Sequence, residues 1–490
     1  TGSVTFTGRA SGTDINSGLV KYSPEALAST NVQKNVNLTV ALNASPATAK
    51  TGAQITVIAS VTNETGAATA ANVSITPQAL GLILTGSVNP AIISSPAPVS
   101  KTVAGGTTQY FTWIYNAGTQ TGTISFTGRA IASDANAGWA VDGTQVQSND
   151  VSVLTSAVLS SSIIIPDTDV SVGQVITVIM SVTNDGGATA NTVNANVLTI
   201  YNDGSGSASL ASGPVPSNIT LNSTQNQLFT FAYNANQAGV IYFSGNARGN
   251  DSTFGLINSS ISNSAAVTIQ NAVSLGATIT ASPEIVSTGQ RITVVMAVTN
   301  NGQATAVGAI GVTPTTTGGG SVVLLTSPNA VNISGGATEY FTWTYSANSS
   351  GTINFTSRAT AVDINSSLVK TSPALTSSNI IIRGAAVLAA EVSGPQVVAN
   401  DGTVYALTMT VTNNGQADAL NVVPNLSYIN IAGDAVASVI TGPVPATAVI
   451  DGLSNTVFVW TYSVQGSGTI QFTSLAYGVD EYSGAQISAA

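Results

Sequence analysis

The chain has 490 residues, 43% of them hydrophobic and only 7% charged, with 21 acidic against 11 basic residues and a net charge of −10. That length exceeds a single hydrophobic core and suggests three or four domains, and so apolar a composition excludes a disordered chain. With no cysteine and no histidine, disulfides, thiolate nucleophiles, zinc–cysteine sites, imidazole bases and His-ligated haem are excluded.

The lysines and arginines are single and scattered, which argues against a nucleic-acid partner and against docking on an anionic membrane surface. No stretch approaches 18 continuous apolar residues, so no membrane span is expected. The 47 glycines follow no three-residue period, so collagen is excluded. A surface poor in charge and rich in Ser, Thr and Asn points to an extracellular, cell-surface location. Thr1 falls inside a repeat, so the sequence is expected to begin after any processed segment.

In chain order, residues 1–31 read as a partial repeat, the terminal hairpin of a preceding or partner sandwich. Thr5-Phe6-Thr7-Gly8-Arg9-Ala10 and Asp14-Ile15-Asn16 return at Phe126-Thr127-Gly128-Arg129-Ala130 and Asp134-Ala135-Asn136. A lone hairpin is marginal in water, so this segment is expected to pack on something outside the sequence, or the sequence is a window on a longer chain. Residues 32–152 form the first full unit. Val36, Leu38, Val40 and Leu42 alternate with polar residues as a first strand, and Ile55, Val57, Ala59 and Val61 form one face of a second. Asn63-Glu64-Thr65-Gly66 then turns the chain; Asn184-Asp185-Gly186, Asn300-Asn301-Gly302 and Asn413-Asn414-Gly415 stand at the same place and read as hairpin turns. A third strand covers 70–76. Pro77, Pro96 and Pro98 then mark an irregular crossing in which ladder hydrogen bonds are lost.

The aromatic strand follows, with Phe111, Trp113 and Tyr115 on one face. Its neighbour carries Ile124, Phe126, Gly128 and Ala130. The two read as a hairpin with the aromatics on a single face. Val-Thr-Asn at Val61, Val182, Val298 and Val411 recurs in steps of 121, 116 and 113. The aromatic strand recurs at Phe111, Phe229, Phe341 and Phe458, and its partner Phe at Phe6, Phe126, Phe243, Phe355 and Phe472. A unit of about 115 residues suits a seven-stranded sandwich. The expectation is an all-β chain of four tandem immunoglobulin-like β-sandwich domains, at 32–152, 153–270, 271–383 and 384–490, behind the N-terminal partial repeat. Short linkers suggest a stiff rod. The fourth domain stops about seven residues before its last strand would begin. The spare hairpin at one end and the absent strand at the other suggest head-to-tail joining of copies of the chain by strand complementation, which yields a fibre. A window on a longer repeat chain is the plainer alternative.

Val-Thr-Asn-Asn-Gly-Gln-Ala-Thr-Ala at 298–306, with Val182–Ala190 and Val411–Ala419 beside it, resembles the strand–turn–strand signature of CARDB-like repeats of bacterial and archaeal surface proteins. The resemblance covers all four repeats. It implies tandem immunoglobulin-like sandwiches with an extracellular structural or adhesive role, and it transfers no catalytic residue. The regular Phe-Thr-Trp-x-Tyr cassette departs from that pattern.

Asp14, Asp134, Asp251, Asp363 and Asp480 recur after the cassette, mostly as Asp-x-Asn. They are the calcium candidates, since that ion needs six to eight oxygens; the plainer reading is turn capping. No other cofactor is expected. Arg9, Arg129 and Arg358 could neutralise the nearby Asp or stack on Tyr110 and Tyr340, which also raises a sugar-binding reading of the Tyr/Arg pair. Lys34, Lys50, Lys101 and Lys370 do not recur in register, which speaks against isopeptide cross-links. Asn37, Asn63, Asn72, Asn218, Asn222, Asn258, Asn332, Asn348 and Asn365 begin glycosylation motifs, so glycans are candidate partners. Ser and Thr abound without an activating base, and Gly318-Gly319-Gly320 has no phosphate-binding lysine, so no enzyme is expected. The function that fits is the structural subunit of a surface filament or sheath. Its alternative is the rod-like stalk of a cell-surface adhesin whose binding head lies outside this chain. An array of carbohydrate-binding modules would need exposed aromatic platforms, whereas these rings sit at core spacing.

Overall fold

The computed structural model describes residues 1–252, 255–398 and 402–489, and every regular element among them is a strand. The N-terminal segment holds β1 (Gly2–Gly8), β2 (Ser11–Thr13), β3 (Val20–Tyr22) and β4 (Ala26–Val32). β1 pairs with β4 and β2 with β3, both antiparallel. This ribbon has no core beneath it: Phe6 is 61% and Leu27 68% exposed.

The first sandwich comprises β5 (Leu38–Ser45), β6 (Thr48–Lys50), β7 (Gln54–Asn63), β8 (Ala70–Gly86), β9 (Ala91–Ser94), β10 (Lys101–Val103), β11 (Thr108–Asn116), β12 (Gly122–Asp134), β13 (Ala140–Asp142), β14 (Val146–Gln147) and β15 (Val151–Leu154). One sheet runs β5-β7-β11-β9, the other β10-β8-β12-β15-β6, with β13 and β14 also on β12. β6 lies parallel to β15. Alternation of Val and Ile with Thr and Ser suits strands with one buried face, and β7 buries Ile55, Val57, Ala59 and Val61 completely. The second and third repeats keep this plan, including the parallel pairs formed by Asp169–Ser171 with Val267–Gln270 and by Ile285–Ser287 with Ile380–Arg383. Four separate apolar cores result, and the chain is all-β and immunoglobulin-like in architecture.

Three expectations are corrected. The aromatic strand and its Phe-bearing neighbour do not form a hairpin. β11 pairs with β7 and β9, whereas β12 pairs with β8 and β15 in the opposite sheet. Their rings therefore meet across the sandwich: Tyr115 to Phe126 at 4.7 Å between centroids, Tyr233 to Phe243 at 4.7 Å, Tyr345 to Phe355 at 4.8 Å and Tyr462 to Phe472 at 5.1 Å. Tilted contacts of this kind contribute about 0.5–1.5 kcal/mol beyond area burial. Second, β8 runs through Pro77 as one 17-residue strand. The expected loss of ladder pairing does occur at Pro77, since Thr127 faces Gly81 and Arg129 faces Thr76 and residues 77–80 bulge without a partner on β12, but the strand resumes beyond it.

Third, the turn after Val-Thr-Asn joins no hairpin. It carries the chain from one sheet to the other, because β7 pairs with β5 and not with β8. A side-chain staple makes that corner. Asn300, fully buried, donates from Nδ2 to the carbonyls of Ala304 (2.8 Å) and Ile333 (3.2 Å) and accepts at Oδ1 from the amides of Gly302 (3.0 Å) and Ser274 (3.4 Å). Asn184 and Asn413 repeat the arrangement, and Asn63 keeps both Nδ2 bonds. Asn300→Ala strips partners from several buried backbone groups, each costing about 1–3 kcal/mol. Urea denaturation should show a lower midpoint for the third repeat, with the other transitions unmoved.

Candidate functional site at the repeat junctions

The recurring aspartates close the strands that carry the partner Phe or its continuation: Asp134 ends β12, Asp251 ends Ala247–Asp251, Asp363 ends Ala359–Asp363 and Asp480 ends Gly468–Asp480. All four are buried. One oxygen caps the turn that follows. Asp363 Oδ1 accepts from the amides of Asn365 (3.1 Å) and Ser366 (2.9 Å), Asp134 Oδ1 from Asn136 (2.9 Å) and Ala137 (3.1 Å), and Asp480 Oδ1 from Tyr482 (3.2 Å) and Ser483 (2.9 Å). Asp14 caps Asn16 and Ser17 in the same way. These are Asx-type turns. The other oxygen holds the first residues of the same sandwich, accepting from the amides of Val36 (3.2 Å), Ala157 (2.6 Å), Val273 (2.7 Å) and Ala386 (2.7 Å).

Two of these carboxylates also accept from the preceding repeat. Ser171 Oγ donates to Asp363 (3.0 Å to Oδ1, 3.2 Å to Oδ2), and Ser287 Oγ donates to Asp480 Oδ1 (2.7 Å). Gln174 reinforces the first contact: its Oε1 accepts from the Ser171 amide at 2.7 Å while its Nε2 donates across the junction to the Asn365 carbonyl at 2.9 Å. Gln290 does the same between the Ser287 amide and the Tyr482 carbonyl. Asn365 Nδ2 returns a bond to Gln270 Oε1 at 2.8 Å. Burial alone would raise the Asp363 and Asp480 carboxyls, but their amide and hydroxyl donors outweigh it and hold both below the ordinary carboxylate value. At the first junction Lys50 stands in sequence where Ser171 and Ser287 stand in the later repeats.

The aspartates weighed as calcium ligands are thus engaged as hydrogen-bond acceptors. Among the described residues no group of three or more acidic side chains comes together. Arg129 and Arg9 take partners other than the recurring aspartates and Tyr110. Arg129 Nε lies 3.1 Å from Asp142 Oδ1 at the surface, and Arg9 stacks over Tyr22 at 4.3 Å. Lys101, not Arg129, reaches the aromatic strand, over Phe111 at 5.4 Å and onto the Tyr110 carbonyl at 2.6 Å. Two glycosylation candidates are corrected. Asn63 is fully buried with its Nδ2 committed to Ala68 and Val103, and Asn365 spends its amide on the junction. Asn37, Asn72, Asn218, Asn222, Asn258, Asn332 and Asn348 are exposed.

The junction donors had a signal of their own: Ser171-Val172-Gly173-Gln174 and Ser287-Thr288-Gly289-Gln290 recur 116 residues apart. Because Ser and Gln are common in this chain, the pair reads as a turn until its far partner is placed. No family model matches the chain, and no curated protein matches it. Among solved structures it is similar to FdeC, an adhesin of Escherichia coli (TM-score 0.24, 14% identity, 69% of this chain and 97% of that one). It is also similar to the alpha-2-macroglobulin of E. coli (TM-score 0.17, 10% identity, 100% of this chain and 34% of that one). A third likeness is to the type II cohesin dyad of the adaptor ScaA scaffoldin of Acetivibrio cellulolyticus (TM-score 0.14, 11% identity, 45% and 89%). Likenesses this distant carry no argument about activity.

Asp363→Ala orphans the Val273 and Ser366 amides and the Ser171 hydroxyl, and should lower the stability of the third repeat by roughly 3 kcal/mol. Ser171→Ala removes the hydroxyl that donates to Asp363 and accepts from Asn365 Nδ2 across the junction, at about 1 kcal/mol for each bond, and should broaden the interdomain distance distribution in small-angle scattering. For Asp363 and Asp480, a folded-state value below the ordinary 3.8 means stabilisation that is complete above that pH and lost as pH falls through the folded value. Acid titration followed by calorimetry should therefore show melting temperatures falling below about pH 4, less steeply in Asp480→Ala.

Proposed function

We propose that the chain is a non-enzymatic, extracellular structural protein, the subunit of a surface filament or sheath whose copies join head to tail. The observation that carries this reading is the buried carboxylate shared between repeats. Ser171 with Asp363, and Ser287 with Asp480, tie the second sandwich to the third and the third to the fourth through bonds withdrawn from water. Such a joint suits transmission of tension along the chain more than recognition of a small molecule. The aromatic rings that could have formed a ligand platform support the same reading, because Phe111, Trp113, Phe229, Phe341, Trp343 and Phe458 lie inside the sandwiches.

The same joints would serve a stalk that holds an adhesin's binding head away from a cell, so the rod reading and the filament reading share their chemistry and differ in how copies meet. A surface setting also accommodates glycans on the exposed asparagines. Negative-stain images of native material should show long uniform fibres. Isolated rods of one chain length would overturn the filament and favour the stalk. Mass spectrometry of the same material should find any glycan on the exposed asparagines and none on Asn63 or Asn365.

A further inference from the structure

Asn-Gly occurs twice in the chain, as Asn301-Gly302 and Asn414-Gly415, and both pairs sit at a corner directly after a buried asparagine. The corner leaves no choice of residue at the glycine. A Cβ on Gly302 would stand 2.2 Å from the Ala272 carbonyl oxygen, and one on Gly415 2.0 Å from that of Ala385. Gly186, preceded by Asp185, is as tightly placed, with a Cβ at 2.0 Å from the Ser156 carbonyl oxygen. Glycine in that place has a chemical consequence. With no side chain to screen it, its nitrogen is the backbone nitrogen best able to attack the side-chain amide of the asparagine before it.

In that reaction the Gly302 nitrogen bonds to Asn301 Cγ and gives its proton to solvent, while the Cγ–Nδ2 bond breaks and ammonia leaves. Water then opens the cyclic imide, at Cγ to give aspartate or at the backbone carbonyl to give isoaspartate. The Asn301 and Asn414 side chains are exposed, so water and base reach them freely, but Gly302 and Gly415 are buried. Each glycine nitrogen donates to a neutral oxygen, Gly302 to Asn300 Oδ1 and Gly415 to Asn413 Oδ1, both at 3.0 Å. The amide on the other side of the reactive residue is pinned as well: Asn301 donates to the Ser274 carbonyl and Asn414 to that of Val387, both at 2.8 Å. Attack requires the glycine nitrogen to lose its proton and turn towards Cγ, and neither can happen until its bond to the corner asparagine opens. The first repeat supplies the contrast. Glu64-Thr65 stand there in place of Asn-Gly, and the bond that Asn63 Oδ1 accepts comes from the Asn37 amide at 3.3 Å.

We propose that Asn300 and Asn413 guard the Asn-Gly pairs beside them against succinimide formation, by holding the attacking nitrogen as a hydrogen-bond donor. Asn184 does the same for Asp185-Gly186, whose nitrogen it holds at 3.1 Å and where the group that would depart is water. The guards are positioning residues. Isoaspartate inserts a methylene into the main chain of a corner where an added carbon on the glycine already has no room. Holding the nitrogen therefore sets how long a folded repeat keeps its corner, which is separate from what the Nδ2 bonds add to its stability. The inference goes beyond the structural role proposed above and holds equally for a filament and a stalk.

The test incubates the full 1–490 chain in mildly alkaline buffer and quantifies conversion at each asparagine by peptide mapping and mass spectrometry, beside the same chain unfolded in guanidinium chloride. In the folded chain Asn301 and Asn414 should convert at least about a hundredfold more slowly than in the unfolded one, because attack waits on local opening. In Asn300→Ala, with near-UV circular dichroism checking its fold, Asn301 should accelerate at least about tenfold while Asn414 stays slow as an internal control. Asn300→Asp retains an acceptor for the Gly302 amide and should keep Asn301 slow, which separates that bond from the two that Nδ2 donates. In the wild-type chain the Asn301 rate should rise with temperature in step with hydrogen exchange at the Gly302 amide. Conversion in the folded chain at the unfolded rate would overturn the assignment, as would an unchanged Asn301 rate in folded Asn300→Ala or a fast one in folded Asn300→Asp. Should neither variant fold its third repeat, the wild-type temperature series decides: conversion that proceeds while the Gly302 amide stays protected discards the guard.

Discussion

A carboxylate removed from water at the end of each Phe-bearing strand, or of its continuation, is the constraint on which the architecture depends. An aspartate in such a place is tolerated only when donors surround it, and here they come from three directions: the turn that follows, the first residues of the same sandwich and, for Asp363 and Asp480, a serine of the preceding repeat. One side chain thus closes a turn, anchors an entering chain and fixes the neighbour. Withdrawing any one donor leaves the remaining charge less well satisfied, so the three functions are coupled in a way that three separate surface contacts would not be.

This arrangement also accounts for the sparse charge of the chain. A surface ion pair such as Arg129 with Asp142 contributes at most about 1 kcal/mol, whereas charge-assisted hydrogen bonds to a buried acceptor are worth more and are less sensitive to salt. The corner asparagines follow the same logic without charge: Asn184, Asn300 and Asn413 each satisfy carbonyls and amides where the chain leaves one sheet for the other. Polar groups in this protein are concentrated at corners and joints, and the apolar majority fills the four cores between them.

Much of this was legible in the residues. The period of about 115 residues, the strands with alternating Val and Ile, and the core role of Phe111, Trp113 and Phe126 follow from spacing alone. The pairing does not. Two strands adjacent in sequence with aromatics on one face fit a hairpin as well as they fit facing sheets, because periodicity reports which side chains are buried and not which backbones are bonded. For that reason β11 and β12 were expected side by side, and the Asn-Gly turns were expected to close hairpins. Asp363 was visible as a repeating acid, but its partner Ser171 lies 192 residues away, and no local rule connects the two. Pro77 marks lost ladder pairing as its chemistry requires, but the sequence does not show that a bulge lets β8 continue through it.

The distribution of open sheet edges says where association is permitted. Along the side of the first sheet of each repeat, the edge strands are interrupted or followed closely by proline: Pro96 and Pro98 after β9, Pro214 within Ser207–Val215, Pro328 after Ser321–Thr326 and Pro443 within Val436–Val444. Proline lacks the donor that a ladder requires, and edge strands that carry it resist lateral strand addition. Register shifts in Ser207–Val215 and Val436–Val444 disrupt those edges further. Edges blunted along the flanks resist side-by-side aggregation. A protein this apolar needs that resistance, because with so few charges to repel neighbours its solubility depends on which backbone edges are left able to pair.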